Sequence, residues 1–389
     1  MQEKNRSYKI FISAAEPSAD AHCAALITAI NKSRPDIEFV GIGGPKMASA
    51  GCQLLESNVA KATMAYNAFG HIGYYYKLIR RISAFFKRNK LDLVIVCDSP
   101  AFNFHIAKAA KKAGLKTIFY VAPQLWAWAG WRIRKLRRYC NKLCCILPFE
   151  QEWFNKKGVD AIFVGNPLLD ASEINISISN RNYDNFEPQR AIFVLLPGSR
   201  TAEIASLWLP MQKIAIRLKQ IYHNSGFITV AVDNDRLQLL KSKQLSDFDC
   251  RYSLEPVIEN TAKADFAISA SGSATLQAAA AGCPMVVMYH SSRMLWHLIG
   301  RWLIKTKYLS LVNILADRSL VPEFMPYFSS IEPILESIHQ VLNDKERLTF
   351  ASRELLSLSE QLNGDNAARK VADVVTEMLS RHETGPLQV

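Results

Sequence analysis

A chain of 389 residues, 49% hydrophobic and 21% charged, predicts a soluble globular protein of two domains, each large enough to bury its own core. No apolar run reaches about 18 residues, which excludes a membrane-spanning helix, and the run Tyr8–Ala15, cut off by Glu16 and Asp20, reads as a strand and not a signal peptide. The formal net charge of +12 calls for an acidic partner: nucleic acid, an anionic membrane or a phosphorylated substrate.

In chain order, Lys9–Ser13, Glu38–Ile42, Leu91–Cys97, Lys116–Val121, Leu143–Leu147 and Ala161–Val164 read as buried strands. Helical stretches such as His22–Asn31, Phe104–Ala113 and Glu150–Lys157 lie between them. Such alternation builds a parallel sheet covered on both faces, here an N-terminal Rossmann-like domain over 1–170. Residues 171–190, rich in Asn, Ser and Asp, read as an interdomain linker. The pattern restarts at Ala191 and continues through Phe227–Val232, Asp265–Ala270 and Pro284–Tyr289, a second Rossmann-like domain over 191–349. After Pro326 the chain is helical to about His382. The expected fold class is α/β, two Rossmann-like domains facing a cleft toward which both aim the carboxyl ends of their strands. The eight cysteines make no C-x-x-C pair, and Cys144 and Cys145 sit in an apolar run as packed thiols do. Disulfides and zinc are poorly supported, and a reducing cytosol fits.

Several stretches could carry chemistry. After the first strand, Glu16, Ser18 and Asp20 form a polar loop that could hold a substrate hydroxyl or cap the next helix. Asp98 ends the run L-D-L-V-I-V-C-D. A carboxylate at the mouth of a buried strand suits general-base work, since partial desolvation raises its pKa, and it equally suits a helix N-cap. At Ala191–Glu203 (A-I-F-V-L-L-P-G-S-R-T-A-E) a buried strand meets a tight turn and a helix start. Gly198 allows close backbone approach, Ser199 can cap the helix or bond an oxygen, Arg200 offers a positive fork, and the helix N-terminus exposes N–H groups. Together they point to an anion such as a diphosphate; the other reading is an ordinary βα turn with a solvated Arg200. Asp265–Gln277 repeats the logic, with Ser271-Gly272-Ser273 opening a helix. Walker A and G-x-G-x-x-G sequences are missing, so ATP hydrolysis and NAD binding lack their marks.

Ala68–Lys90 sets Phe69, Ile72, Tyr76, Ile79 and Phe86 at roughly helical spacing among Lys77, Arg80, Arg81, Lys87 and Arg88. Trp126–Arg138, with Trp126, Trp128 and Trp131, and Met294–Lys307, with Trp296 and Trp302, repeat the mix. One such stretch is as well explained by a core helix with a solvated basic side, but the repetition favours an anionic lipid surface. Nucleic acid, the rival partner, has no recognition signature here, and His71, His105, His290 and His297 lack metal spacing.

Ala15-Glu16-Pro17-Ser18-Ala19-Asp20, Asp98-Ser99-Pro100-Ala101-Phe102-Asn103, Pro123-Gln124-Leu125-Trp126-Ala127-Trp128, Leu196-Pro197-Gly198-Ser199-Arg200 and Ser271-Gly272-Ser273-Ala274-Thr275 occur in this order. With Tyr308–Ala316 and Val321-Pro322-Glu323, the ordered set resembles the lipid-A-disaccharide synthases, glycosyltransferases of GT-B architecture, from about residue 8 to 380. The resemblance implies an inverting, single-displacement transfer from UDP-2,3-diacylglucosamine to 2,3-diacylglucosamine 1-phosphate, with release of UDP. It implies no metal or other cofactor: helix termini and Arg200 would stabilise the departing UDP. Asp98 is cast as the base for the acceptor's hydroxyl. Gly198, Ser199, Arg200, Ser271, Gly272, Ser273, Ala274 and Thr275 fall where UDP binds, with Gln277, Asn313 and Glu323 on the donor side and Glu16, Ser18 and Asp20 in the first loop. The resemblance further implies a cytoplasmic enzyme, peripheral on the anionic inner membrane through Phe69, Ile72, Tyr76, Arg80, Arg81, Trp128, Trp131, Trp296 and Trp302. A homodimer is expected on the same ground, with C-terminal helices at about 350–380 packing back on the first domain.

Three departures from the family pattern stand out. Ala15 and Ala19 replace usual glycines, Gln277 replaces a glutamate that would grip the ribose, and Pro326 replaces a glutamine. They keep open a relative that binds nucleotide or lipid without transferring sugar; a GT-B enzyme acting on UDP-N-acetylglucosamine is the third reading.

Overall fold

In a computed structural model, which describes residues 7–57, 72–170, 181, 183–291, 306–362 and 366–383, the chain divides into two compact units, Met1–Pro167 with Gly364–Val389, and Leu168–Asn363. The first carries β1 (Tyr8–Ala14), β2 (Ile37–Gly43), β3 (Gln53–Ser57), β4 (Leu93–Cys97), β5 (Thr117–Tyr120), β6 (Lys142–Cys145) and β7 (Ala161–Phe163). All pair in parallel, in the order β3-β2-β1-β4-β5-β6-β7. The strands read as unbroken apolar runs because helices cover both faces. Ile10, Ile12, Ile95 and Cys97 enter one apolar layer, and Phe11, Val94, Val96 and Phe119 enter the other.

The second unit repeats the plan with β8 (Ile192–Leu196), β9 (Gly226–Val230), β10 (Arg251–Ser253), β11 (Phe266–Ala270), β12 (Met285–Met288) and β13 (Glu323–Phe324). Their order is β10-β9-β8-β11-β12-β13, again all parallel. Phe193, Trp208, Tyr222, Phe227 and Phe266 supply much of the core. The strands that the sequence pattern does not announce are β3, β10 and β13. Each is a short edge strand with only partial burial, so it needs no apolar run.

Two sequence expectations change. The stretch 171–190 is not all linker: Arg181 donates to the carbonyls of Ala281 (2.8 Å), Ala264 and Thr261, and Tyr183 is buried in the second core. Those carbonyls lie at the C-terminal ends of the helices Val257–Ala262 and Ser273–Ala280. There a cation offsets the exposed carbonyl dipoles, so a polar residue belongs to the fold. The C-terminal return also starts later than residue 350. Lys345–Glu360 stays in the second unit, with Leu348 in its core, whereas Ala367–Glu383 packs on Pro17–Ser33 through Val371, Val375 and Leu379.

In each unit the strand order reverses beside its first strand, between β1 and β4 and between β8 and β11. In open α/β sheets, ligands bind outside the carboxyl ends of the strands at such a reversal.

Candidate active site

Register places Ala14 beside Cys97, so the loops that begin at Ala15 and Asp98 leave the first sheet side by side. Asp98 and Ser99 both take left-handed backbone φ values, 52° and 41°. Such positions cost on the order of 1–3 kcal/mol each for residues other than glycine, and persist only where the surroundings over-determine them. Here they do. Asn103 Nδ2 donates to the carbonyls of Cys97 and Asp98, each at 2.8 Å, and its Oδ1 accepts from Ser13 Oγ at 2.6 Å. The Asp98 N–H donates to the Tyr120 carbonyl at 3.0 Å, and Ser99 Oγ donates to Glu16 Oε1 at 3.0 Å.

The residues of the first loop divide. Glu16 is half-buried and braces Ser99, while Ser18 is exposed. Asp20 is 2% exposed and accepts the N–H groups of Gly44 (2.8 Å), Lys46 (3.1 Å) and Met47 (3.1 Å), capping the helix Pro45–Ser49. Its carboxylate thereby serves as a cap, one of the two roles the sequence offers for this loop. The methyls of Ala15 and Ala19 lie in the two apolar layers, so they fill core space. On the same helix, burial and then the charge of Lys46 bring the His22 pKa down to about 4, which keeps the ring neutral.

In the second unit, β8 runs into Gly198, whose φ is 103°, and then into the exposed Ser199 and Arg200 at the head of the helix Thr201–Ile221. The N–H groups of Ser199 and Arg200 donate to Glu203 Oε2 (3.0 and 3.2 Å), and Arg200 Nη1 donates to Oε1 (3.3 Å). A Cβ added at Gly198 would approach the Glu203 Cβ to 2.8 Å. Both the dihedral and the space therefore require glycine. Glu203 was not singled out from sequence; its place as third helical residue, the capping-box position, was the available signal.

After β11, Ser271, Gly272 and Ala274 are half-buried and Ser273 is exposed. A Cβ at Gly272 would meet nothing within 4 Å, so the turn is open above its backbone. Thr275 Oγ1 donates to the Gly272 carbonyl at 2.7 Å, closing the turn, and Gln277 follows, half-buried. Asn313 and Glu323 lock one loop. Glu323 accepts the N–H groups of Leu309 (3.1 Å) and Ser310 (2.9 Å) and the Asn313 amide (3.0 Å). Asn313 Oδ1, fully buried, accepts the N–H groups of Leu320 (2.8 Å) and Val321 (2.9 Å).

The aromatic-basic stretches separate into core and surface. Phe86 is buried, Ile79 packs on the same layer, and Trp126 is 7% exposed with Nε1 donating to Glu150 Oε1 at 2.9 Å. A core-facing stripe and a lipid-facing stripe share one period, which is why sequence alone merges them. Tyr76, Trp128 and Trp131 remain 62%, 45% and 63% exposed. Arg80 lies over Tyr76 (5.9 Å), Arg132 over Trp128 (5.4 Å) and Trp131 (5.8 Å), and Arg81 pairs with Glu56 at 2.9 Å. Phe69, Trp296, Trp302 and the Ile72 side chain lie outside the described residues. Among the described residues no helix is long and apolar enough to cross a membrane, and no three His, Cys, Asp or Glu side chains gather as metal ligands.

Two Rossmann-like units, each with a loop constellation at its strand reversal, define the GT-B class. Solved structures agree on that fold. UDP-N-acetylglucosamine 2-epimerase from Neisseria meningitidis, bound to UDP-GlcNAc, has a TM-score of 0.64 at 13% identity, covering 95% of this chain and 99% of that one. The calicheamicin glycosyltransferase gives 0.58 at 13% identity, with 97% and 99% covered. Sequence is more particular: the lipid-A-disaccharide synthetase family model matches residues 10–376. The lipid-A-disaccharide synthase of Trichlorobacter lovleyi is 32% identical over 387 residues, 97% of this chain and 99% of that protein. The chain belongs to the lipid-A-disaccharide synthetase family, a hexosyltransferase family of lipid A biosynthesis.

Proposed function

We propose that this glycosyltransferase condenses UDP-2,3-diacylglucosamine with 2,3-diacylglucosamine 1-phosphate, with inversion, giving lipid A disaccharide 1-phosphate and UDP. The observation that carries the roles is Asp98, held in a braced left-handed turn at the reversal of the first sheet. In this reading Asp98 takes the proton of the acceptor's hydroxyl while that oxygen attacks the anomeric carbon. The bond from that carbon to UDP breaks, and its electron pair leaves on the diphosphate. Gly198, Ser199, Arg200 and the Ser271–Thr275 turn receive the diphosphate. The N–H groups and the guanidinium now turned to Glu203 then meet the growing negative charge. Charge neutralisation is assigned to these groups and not to a metal, so EDTA should leave the rate unchanged.

Tyr76, Arg80, Trp128, Trp131 and Arg132 form the surface that docks on anionic inner-membrane lipid from the cytoplasmic side, where acylated substrates reside. Purified enzyme given both lipid substrates should release UDP and a disaccharide, and Asp98→Asn should remove most of that turnover. Folded wild-type enzyme that makes no disaccharide but turns over UDP-N-acetylglucosamine overturns the reading.

A further inference from the structure

We propose that Asn103 is a positioning residue for Asp98, an inference that rests on the reading of Asp98 as the base. Aspartate enters the left-handed region more readily than most residues, but as a single residue; two in succession at Asp98 and Ser99, neither a glycine, need support from outside the turn. The fully buried Asn103 side chain spans the turn. Its two N–H donors reach the carbonyls of Cys97 and Asp98, each at 2.8 Å. Those carbonyls belong to the two peptide planes that flank the Asp98 Cα. Fixing both planes fixes the Cα–Cβ direction, and so where the carboxylate is aimed.

Ser13 Oγ, buried in β1 and 2.6 Å from Asn103 Oδ1, leaves the amide one orientation. Asn103 itself stands in the first turn of the helix Pro100–Lys112, with its N–H on the Ser99 carbonyl at 3.0 Å, so the platform is rigid. The chemistry is specific to an amide of this length. Aspartate would set a carboxylate against two carbonyls, and alanine would take away the donor that both carbonyls share.

The test uses the full-length enzyme with both lipid substrates, and compares Asn103→Ala, Asp98→Asn, the double variant and Gln212→Ala. Gln212 is an equally buried amide of the second unit, bonded to the Lys243 carbonyl and the Leu245 N–H, and serves as the purely structural control. For Asn103→Ala, kcat should fall about 10- to 100-fold, with KM for both substrates within about threefold. The double variant should be little slower than Asp98→Asn alone, because the aim of an absent base no longer matters. Gln212→Ala should lower the unfolding midpoint with little change in kcat. If Asn103→Ala does not fold, Ser13→Ala carries the question, with kcat expected to fall about threefold at unchanged KM.

An Asn103→Ala enzyme within about twofold of wild-type kcat, beside an inactive Asp98→Asn, removes the positioning role alone. Independent, additive losses in the double variant do the same, as does an unchanged kcat in Ser13→Ala. Full activity in Asp98→Asn would remove the base and the positioning role together.

Discussion

Both sheets reverse beside their first strand, yet the loops at the two reversals are built in opposite ways. In the first unit the turn at Asp98–Ser99 is made by ordinary residues, forced left-handed and held by buried polar side chains. In the second unit glycine supplies the turn, and Ser199 and Arg200 are themselves exposed, their N–H groups held by the half-buried Glu203. One constellation is locked before a ligand arrives; the other is a cradle whose donors can change partner. The difference suits the proposed tasks. A proton acceptor must be aimed, whereas a diphosphate needs several backbone donors able to come close.

The hardest blow to this contrast falls on Asp98. Asp98→Asn keeps shape but cannot take a proton, so kcat should drop by about 100- to 10,000-fold while both substrates still bind, as calorimetry would record. A matching loss of affinity would mean that Asp98 grips substrate, and the contrast between aiming and cradling would go.

The buried anchors of the first unit should also make its stability depend on pH. Glu150 is 1% exposed and accepts from Trp126 Nε1 (2.9 Å) and from the N–H groups of Ile146 (3.3 Å) and Leu147 (3.1 Å), and burial pushes its pKa up to about 7. The folded value lies above the unfolded one. Stability from this group is therefore full below the ordinary carboxyl range and lost as pH rises through about 7. The loss is at most about 3 kcal/mol, from about 1.36 kcal/mol per pKa unit. His22 runs the other way: its neutral form contributes above the ordinary imidazole range, and that is lost as pH falls toward 4. Thermal unfolding of wild type minus Glu150→Gln, followed by tryptophan fluorescence from pH 5 to 8, isolates the carboxylate; a difference flat with pH would refute the assignment. Gly198→Ala in the second unit should raise the donor KM about tenfold, with kcat recovered at saturation, because the methyl strains the turn and crowds Glu203.

How much of this could be read beforehand follows from what each residue touches. Strands buried on both faces announce themselves as apolar runs, so the two sheets and the Gly198 turn were visible, while the edge strands β3, β10 and β13 were not. Asp98 was visible because it ends such a run. Its support was hidden, since Ser13 and Asn103 meet across 90 residues of chain. Arg181 looked like linker because its partners are carbonyls at helix ends, which no composition reveals. Asp20 stood open between substrate contact and helix cap because both ask for the same carboxylate, and the helix it caps is Pro45–Ser49, not the one that follows it in sequence.

The smallest expected effect probes the contrast from the other side. If the first unit is held by packing and buried bonds, it has no need of the glycines that the second unit uses, and Ala15 and Ala19 should be harmless there. Ala19 is fully buried within the helix Pro17–Ser33, and its methyl belongs to the apolar layer shared with Leu26, Ile27 and Val371. Ala19→Gly should then lower the unfolding free energy by about 1 kcal/mol, from added backbone freedom and a lost methyl contact, and leave kcat within about twofold. Denaturant titration and the disaccharide assay measure the two halves of that statement. A rise in kcat with Ala19→Gly or Ala15→Gly would show that the methyls obstruct the loop, and that the two reversals are more alike than their backbones suggest.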